Sequence, residues 1–370
     1  AIAPRDMKYL FFTKPPAHVH LYRNAVTELA ERGHEALLLA RDYGCTLDLL
    51  DYYDLPYVVY GELATSKYSL ARELPRHYLT ILRETREYDP DKIFGVGAYA
   101  AHAGAVTNAP VVLVTDSENT HLDHAISRPF ADAYLTPHTF DKDLGEDHYV
   151  FHGFKECAYL HPDEYDPQGD IRVELGVGPD EEFAIVRLNA FGSHHDVGHG
   201  GFTPAKRRKL VEALAERATV FVSDEGGTMD FSALPARPFD LHPARLHDAL
   251  AEASLLVADT QTMVTEAALL GTPAIRSNSF VGEDDMGNFT ELERAGLIYN
   301  LREFEAVART ATDLLEAERV ADEWADRREA FLADKVDLTD LVVSVATDPT
   351  ALRSLPTKRT HERMVGGTSG

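Results

Sequence analysis

Cysteine is nearly absent: two residues in 370, Cys45 and Cys157, far apart and without a Cys-x-x-Cys pair. That excludes a disulfide scaffold and a cysteine-built zinc site, and it suits a reducing cytoplasm. No apolar stretch approaches the length of a membrane span, and the start (AIAPRDMKYLFF) runs directly into a strand-like segment. Neither a signal peptide nor a transmembrane helix is therefore expected. Positive charge is also scarce. Sixty-one acidic residues against 36 basic ones leave a net charge of −25, which argues against nucleic acid or an anionic membrane as the main partner.

The acidity is spread along the whole chain, and lysine is suppressed relative to arginine. Such a pattern suits a protein adapted to high salt, where counterions screen the mutual repulsion; the plainer alternative is an ordinary acidic cytosolic enzyme. Molar salt is expected to raise the melting temperature, and dilution to unfold or aggregate the protein. Full stability in dilute buffer, measured by calorimetry, would overturn the salt-adapted reading.

With 44% hydrophobic residues the chain can bury sizeable cores, and its length makes two domains the default. Short apolar runs alternate with helical patterns through residues 8–152, which predicts a parallel, doubly wound sheet. The character changes at HPDEYDPQGD, rich in proline and acid, after which the alternation restarts. The expected organisation is a Rossmann-like domain over 1–160, a linker over 161–180 and a second Rossmann-like domain over 181–325. C-terminal helices over 326–349 and a flexible tail over 350–370 complete it. Two such halves imply a cleft, with ligands beyond the carboxyl ends of the strands.

Five strand-to-helix loops could carry chemistry. Thr13-Lys14-Pro15-Pro16-Ala17-His18-Val19-His20 opens the first helix, and His18, nearer the helix start, is preferred over His20 as a general base. Gly95-Val96-Gly97 would let a helix approach the sheet closely. Asp116, Ser117 and Glu118 follow a buried strand, where acid/base groups or ligands for sugar hydroxyls are expected, although they could simply cap a helix. The long loop from Asn189 to Gly201 is rich in glycine and histidine, and Gly192, Ser193, His194 and His195 could close round a phosphate. A metal site from His194, His195, Asp196 and His199 is disfavoured because adjacent histidines diverge. In the fifth loop Asp259 ends a strand, and Thr260, Gln261 and Thr262 open a helix that carries Glu266. Its N–H groups could hold a diphosphate, and a cleft-facing Glu266 could accept two ribose hydroxyls; an ordinary capped helix is the alternative.

The segment TQTMVTEAALLGTPAI resembles the nucleotide-binding helix of GT-B enzymes. Together with KPPAHVHLYRNAVTELAERGHE, HGFKECAYLHP, SHHDVGHGGF and DDMGNF, it makes the chain resemble an archaeal and bacterial family of unknown function, over roughly residues 7–345. That family is grouped with GT-B glycosyltransferases and UDP-N-acetylglucosamine 2-epimerases. The resemblance implies a GT-B-like α/β fold and metal-independent sugar transfer, without a cofactor, in surface glycan or glycoconjugate synthesis. The donor would be a nucleotide diphosphate sugar of the UDP type and the acceptor a glycan or lipid-linked molecule; peripheral membrane contact and a homodimer are compatible with it. His18, Asp116 and Glu118 would be catalytic, while Gly192, Ser193, His194, His195, Thr260, Gln261, Thr262 and Glu266 would bind nucleotide. Asp284-Asp285 do not form the metal motif of metal-dependent transferases. The 2-epimerases instead use an Asp after a Gly-Asp turn, two glutamates, and a histidine early in the second half. Here Glu118 and His194 or His195 are available, but Gly97-Ala98 stand where that Asp is expected and Asp123-His124 where the second glutamate falls. A non-catalytic nucleotide-sugar binding subunit is the third reading.

Overall fold

The computed structural model describes residues 6–62, 67–118, 120–188, 202–227, 229–278, 281–282 and 285–366. The chain forms two compact units, one of residues 1–164 with 335–370 and the other of residues 165–334.

The first unit is built on seven strands: β1 (Lys8–Thr13), β2 (Glu35–Asp42), β3 (Tyr57–Glu62), β4 (Lys92–Gly95), β5 (Val111–Val114), β6 (Ala133–Pro137) and β7 (His148–Phe151). Their order is β3-β2-β1-β4-β5-β6-β7, and every pair is parallel. Strands covered by helices on both faces must be apolar on both, which is why YLFF, LLLA and VVLV are continuous rather than alternating runs. Leu10, Phe12, Leu39, Ile93 and Leu113 share one core cluster. Phe11 instead stacks on Phe94 at 5.1 Å and 12°. The first helix, Pro16–Glu31, has proline in its opening turn, where the missing N–H costs nothing. Strand order reverses between β1 and β4, so a crevice opens at their carboxyl ends.

The second unit repeats the plan with β8 (Phe183–Leu188), β9 (Thr219–Asp224), β10 (Arg237–Pro238), β11 (Leu255–Ala258), β12 (Ala274–Arg276) and β13 (Ile298–Asn300). The order is β10-β9-β8-β11-β12-β13, again all parallel, with the reversal between β8 and β11. The expected pair of doubly wound α/β sheets is present. Among the described residues no helix is long and apolar enough to cross a membrane.

The borders differ from those expected. Residues 161–180 are not a bare linker: they contain the helix Ile171–Leu175, whose first turn is capped by the Asp170 side chain. The helix Val320–Leu332 belongs to the second unit, where the Trp324 indole donates to the carbonyl of Leu297 at 2.9 Å. The helix Leu338–Thr347 belongs to the first. Nor are residues 351–366 a loose tail. Thr357 bridges Tyr149 on the edge strand β7, and Val150 N–H donates to Pro356 at 2.9 Å. Lys358, 4% exposed, donates to the carbonyl of Phe140. The segment covers a sheet edge whose backbone groups would otherwise stay open.

Candidate functional site

In the first unit the loops after β1, β4 and β5, with the ends of β2 and β3, enclose a pocket of about 590 Å³ at the point where strand order reverses. Thr13, Lys14 and His18 come from the first loop, Gly97 and Tyr99 from the second, and Thr115 and Ser117 from the third. Glycine at the second loop answers a packing demand. A Cβ on Gly95 would lie 2.2 Å from the Ala100 Cβ, and one on Gly97 would lie 2.1 Å from Asp123 Oδ2. The Asp123 carboxylate therefore occupies the space beside Gly97, where it accepts from Ala98 N–H at 3.3 Å.

The structure separates the two histidines of the first loop. His18 lines the pocket, whereas His20 packs against the rings of Tyr159 at 5.2 Å and Tyr53 at 6.0 Å. Burial and the neighbouring Lys155 charge push the His18 imidazole down to about 3, with Asp116 opposing them and Lys14 adding to the fall. The ring is thus neutral at ordinary pH. The backbone N–H of Lys14 makes a long 3.4 Å contact with Nδ1. Asp116 lies beside it, bonded to Lys155 at 2.7 Å. Burial alone would raise the Asp116 carboxyl, but the Lys155 ammonium and its hydrogen bond hold it below the ordinary range.

Glu118 does not join them. It is not among the residues lining the pocket; Oε1 accepts from Asp141 N–H at 3.2 Å, and Lys142 donates to its carbonyl. Burial raises the Glu118 carboxyl, with the Asp141 N–H opposing. Sequence reasoning missed Lys155, Arg41 and the ring group Tyr60, Tyr78 and Tyr99. Arg41 had one signal available: a cation closing the buried run LLLA at a strand's carboxyl end.

In the second unit the helix Thr262–Leu270 follows β11 directly. Among the described residues no side chain caps its first turn; Thr262 is exposed and Gln261 is half-buried. The Thr260 hydroxyl is buried without a hydrogen-bond partner among the described residues. Glu266, however, does not stand on an open face. Residues Met263 to Leu269 are all buried, so this helix is apolar all round and lies within the core. Glu266, 4% exposed, is held by His247 Nε2 at 3.1 Å. A carboxylate taken out of water needs such a partner. Gly192, Ser193, His194, His195 and Asp284 lie outside the described residues. Of the groups that could offer a metal ligands within the first unit, His161, Asp163 and Asp337 bring their atoms within 4.8 Å of one another. Asp337 there already accepts from Thr339 and Asp340 N–H.

Residues 9–346 match the profile of a family described as "Protein of unknown function (DUF354)". An uncharacterized protein of Methanocaldococcus jannaschii is 23% identical over 285 residues, 70% of this chain and 78% of that protein. The glycotransferase of kitacinnamycin superposes with a TM-score of 0.63 at 14% identity, covering 95% of this chain and 100% of that one. The UDP-GlcNAc 2-epimerase of Neisseria meningitidis, solved with UDP-GlcNAc bound, superposes with a TM-score of 0.64 at 12% identity, covering 92% and 99%. The fold is thus that of GT-B enzymes, shared by transferases and epimerases.

Proposed function

The chain belongs to the DUF354 family, and we propose that it is a metal-independent glycosyltransferase of the GT-B type acting on a nucleotide diphosphate sugar. The observation that carries this reading is His18: a neutral imidazole in the wall of a pocket at the switch point of the first sheet, beside an ionised Asp116. The first unit would bind the acceptor there. The second would bind the nucleotide through the open first turn of Thr262–Leu270, with Thr260, Gln261 and Thr262 at the diphosphate and Glu266 at the ribose, joined by Gly192, Ser193, His194 and His195. UDP is the proposed nucleotide, in keeping with the UDP-GlcNAc named for the structurally similar Neisseria epimerase.

In the reaction an acceptor oxygen forms a bond to the anomeric carbon as the bond from that carbon to the diphosphate oxygen breaks. The acceptor proton passes to the neutral His18 imidazole, and the Asp116 carboxylate stabilises the imidazolium while helix N–H groups stabilise the departing diphosphate. The test is release of UDP from UDP-sugars with and without glycan or polyprenyl acceptors. Acceptor-dependent release supports the reading, and an isomerised sugar nucleotide formed without an acceptor overturns it.

A 2-epimerase is the second reading, and one observation favours it. The carboxylate expected after β4 is absent from the sequence, yet Asp123 places its own beside Gly97. Loss of epimer formation in Asp123→Asn, with His18→Ala still active, would establish that reading.

The His18 environment also sets a pH dependence. A base must be unprotonated, and a pKa lowered to about 3 leaves His18 neutral everywhere above about pH 4. The acid limb of kcat/KM is therefore expected below pH 4 rather than near the usual imidazole value. A limb near 6.5 that disappears in His18→Gln would show that this ring is hydrated in the working enzyme.

A further inference from the structure

We propose that the first-unit pocket receives an acceptor bearing an oxyanion, a phosphate or a carboxylate, and that Arg41 holds it. This rests on the assignment of that pocket to the acceptor.

Arg41, one residue before the end of β2, lies in the pocket wall and is 4% exposed. Among the described residues its one hydrogen bond runs from Nε to the carbonyl of Glu62 at 3.2 Å, and no described carboxylate pairs with it. A buried, unpaired guanidinium is costly, and other buried arginines of this chain avoid that cost. Arg245 is bonded to Glu174 and Asp248, and Arg276 to Asp285. In a chain with 61 acidic residues a partner for Arg41 would have been easy to place.

The surroundings repeat the pattern. Lys14 lines the same pocket, its ammonium held below the ordinary range by burial and by the Arg41 charge, with Asp123 opposing. Burial raises the Tyr60 and Tyr99 phenols, and Arg41 counters the rise in both. Asp123 is the one carboxylate in the described lining, and it is turned to Ala98 N–H. With His18 neutral, the lining carries two cations against one anion. A guanidinium fork whose Nη groups have no hydrogen-bond partner among the described residues suits a phosphate or carboxylate, which it can grip at two oxygens. Tyr99 meets Tyr60 at 5.4 Å and Tyr78 at 5.2 Å, giving the rest of the occupant an aromatic wall.

The test is calorimetry on the full chain in high salt with glucose 1-phosphate, glucuronate, farnesyl phosphate, inorganic phosphate and neutral methyl glucoside. Anionic probes are expected to bind at least about tenfold more tightly than methyl glucoside, with that advantage lost in Arg41→Gln and partly kept in Arg41→Lys. Preference for farnesyl phosphate, glucose 1-phosphate or glucuronate identifies the source as a lipid phosphate, a sugar phosphate or a uronic acid.

Several results would overturn the proposal: no anionic probe binding, methyl glucoside binding as tightly, or Arg41→Gln keeping full affinity at an unchanged melting temperature. Displacement of the probes by UDP, with Arg41→Gln weakening UDP equally, would assign the cations to the donor diphosphate instead. If Arg41→Gln fails to fold, Arg41→Lys must still shift the affinity ratio between anionic and neutral probes. Arg41-dependent anion binding in a protein that binds no sugar nucleotide would sink the transferase reading alone. UDP-sugar binding without anion binding would sink this inference alone.

Discussion

Replacing His18 with alanine is expected to lower turnover by about 10²-fold, the lower end of the worth of a general base because a ring held at about 3 is a weak one, while leaving UDP affinity unchanged. The split follows from location: His18 belongs to the first-unit pocket, and the groups assigned to the nucleotide belong to the second unit. His18 is 8% exposed, so alanine also leaves a void, and a stability loss of about 1–3 kcal/mol accompanies the change. His18→Gln fills that space without supplying a base and should show the same turnover with less loss of melting temperature. Asp116→Asn should reduce turnover less, because the carboxylate acts on the imidazolium rather than on the acceptor. Full turnover in a folded His18→Ala, combined with loss of activity in Glu118→Gln or in a His194 or His195 variant, would transfer the chemistry to the epimerase arrangement.

How legible these features were in the sequence depended on whether a residue's role is local. Buried parallel strands declare themselves as unbroken apolar runs, so both sheets could be read, and the loop after β1 pointed to His18. Arg41, Tyr60, Tyr78 and Tyr99 come from four different elements, and their meeting depends on strand order rather than spacing. Lys155 follows β7, 39 residues after the Asp116 it binds. The C-terminal segment escapes a reading of the sequence for a related reason. Its anchor is a lysine, Lys358, buried against a carbonyl, whereas a sequence reader looks for apolar anchors. The same bias makes Glu266 read as a cleft-facing side chain, since a lone acid on a helix is usually exposed; here the residues around it leave no polar face to carry it.

That correction sharpens what Glu266→Ala should do. If Glu266 accepts the ribose hydroxyls, alanine removes two charge-assisted hydrogen bonds and weakens UDP binding by about 2–4 kcal/mol. Were the side chain open to solvent, the fold would be untouched. Because it is 4% exposed and held by His247 at 3.1 Å, the substitution also removes a buried partner, and about 1–3 kcal/mol of stability should go with it. Affinity loss alone cannot distinguish a ribose ligand from a buried strut, but the ribose itself can. Wild type should prefer UDP to 2′-deoxy-UDP, and that preference should vanish in Glu266→Gln, which keeps the side chain's shape and a polar contact to His247. His247→Ala should weaken both nucleotides and leave part of the preference, since it disturbs the orientation of the carboxylate without removing it. A folded Glu266→Gln that still discriminates between the two nucleotides would mean that Glu266 serves the core, and that the nucleotide lies elsewhere in the second unit.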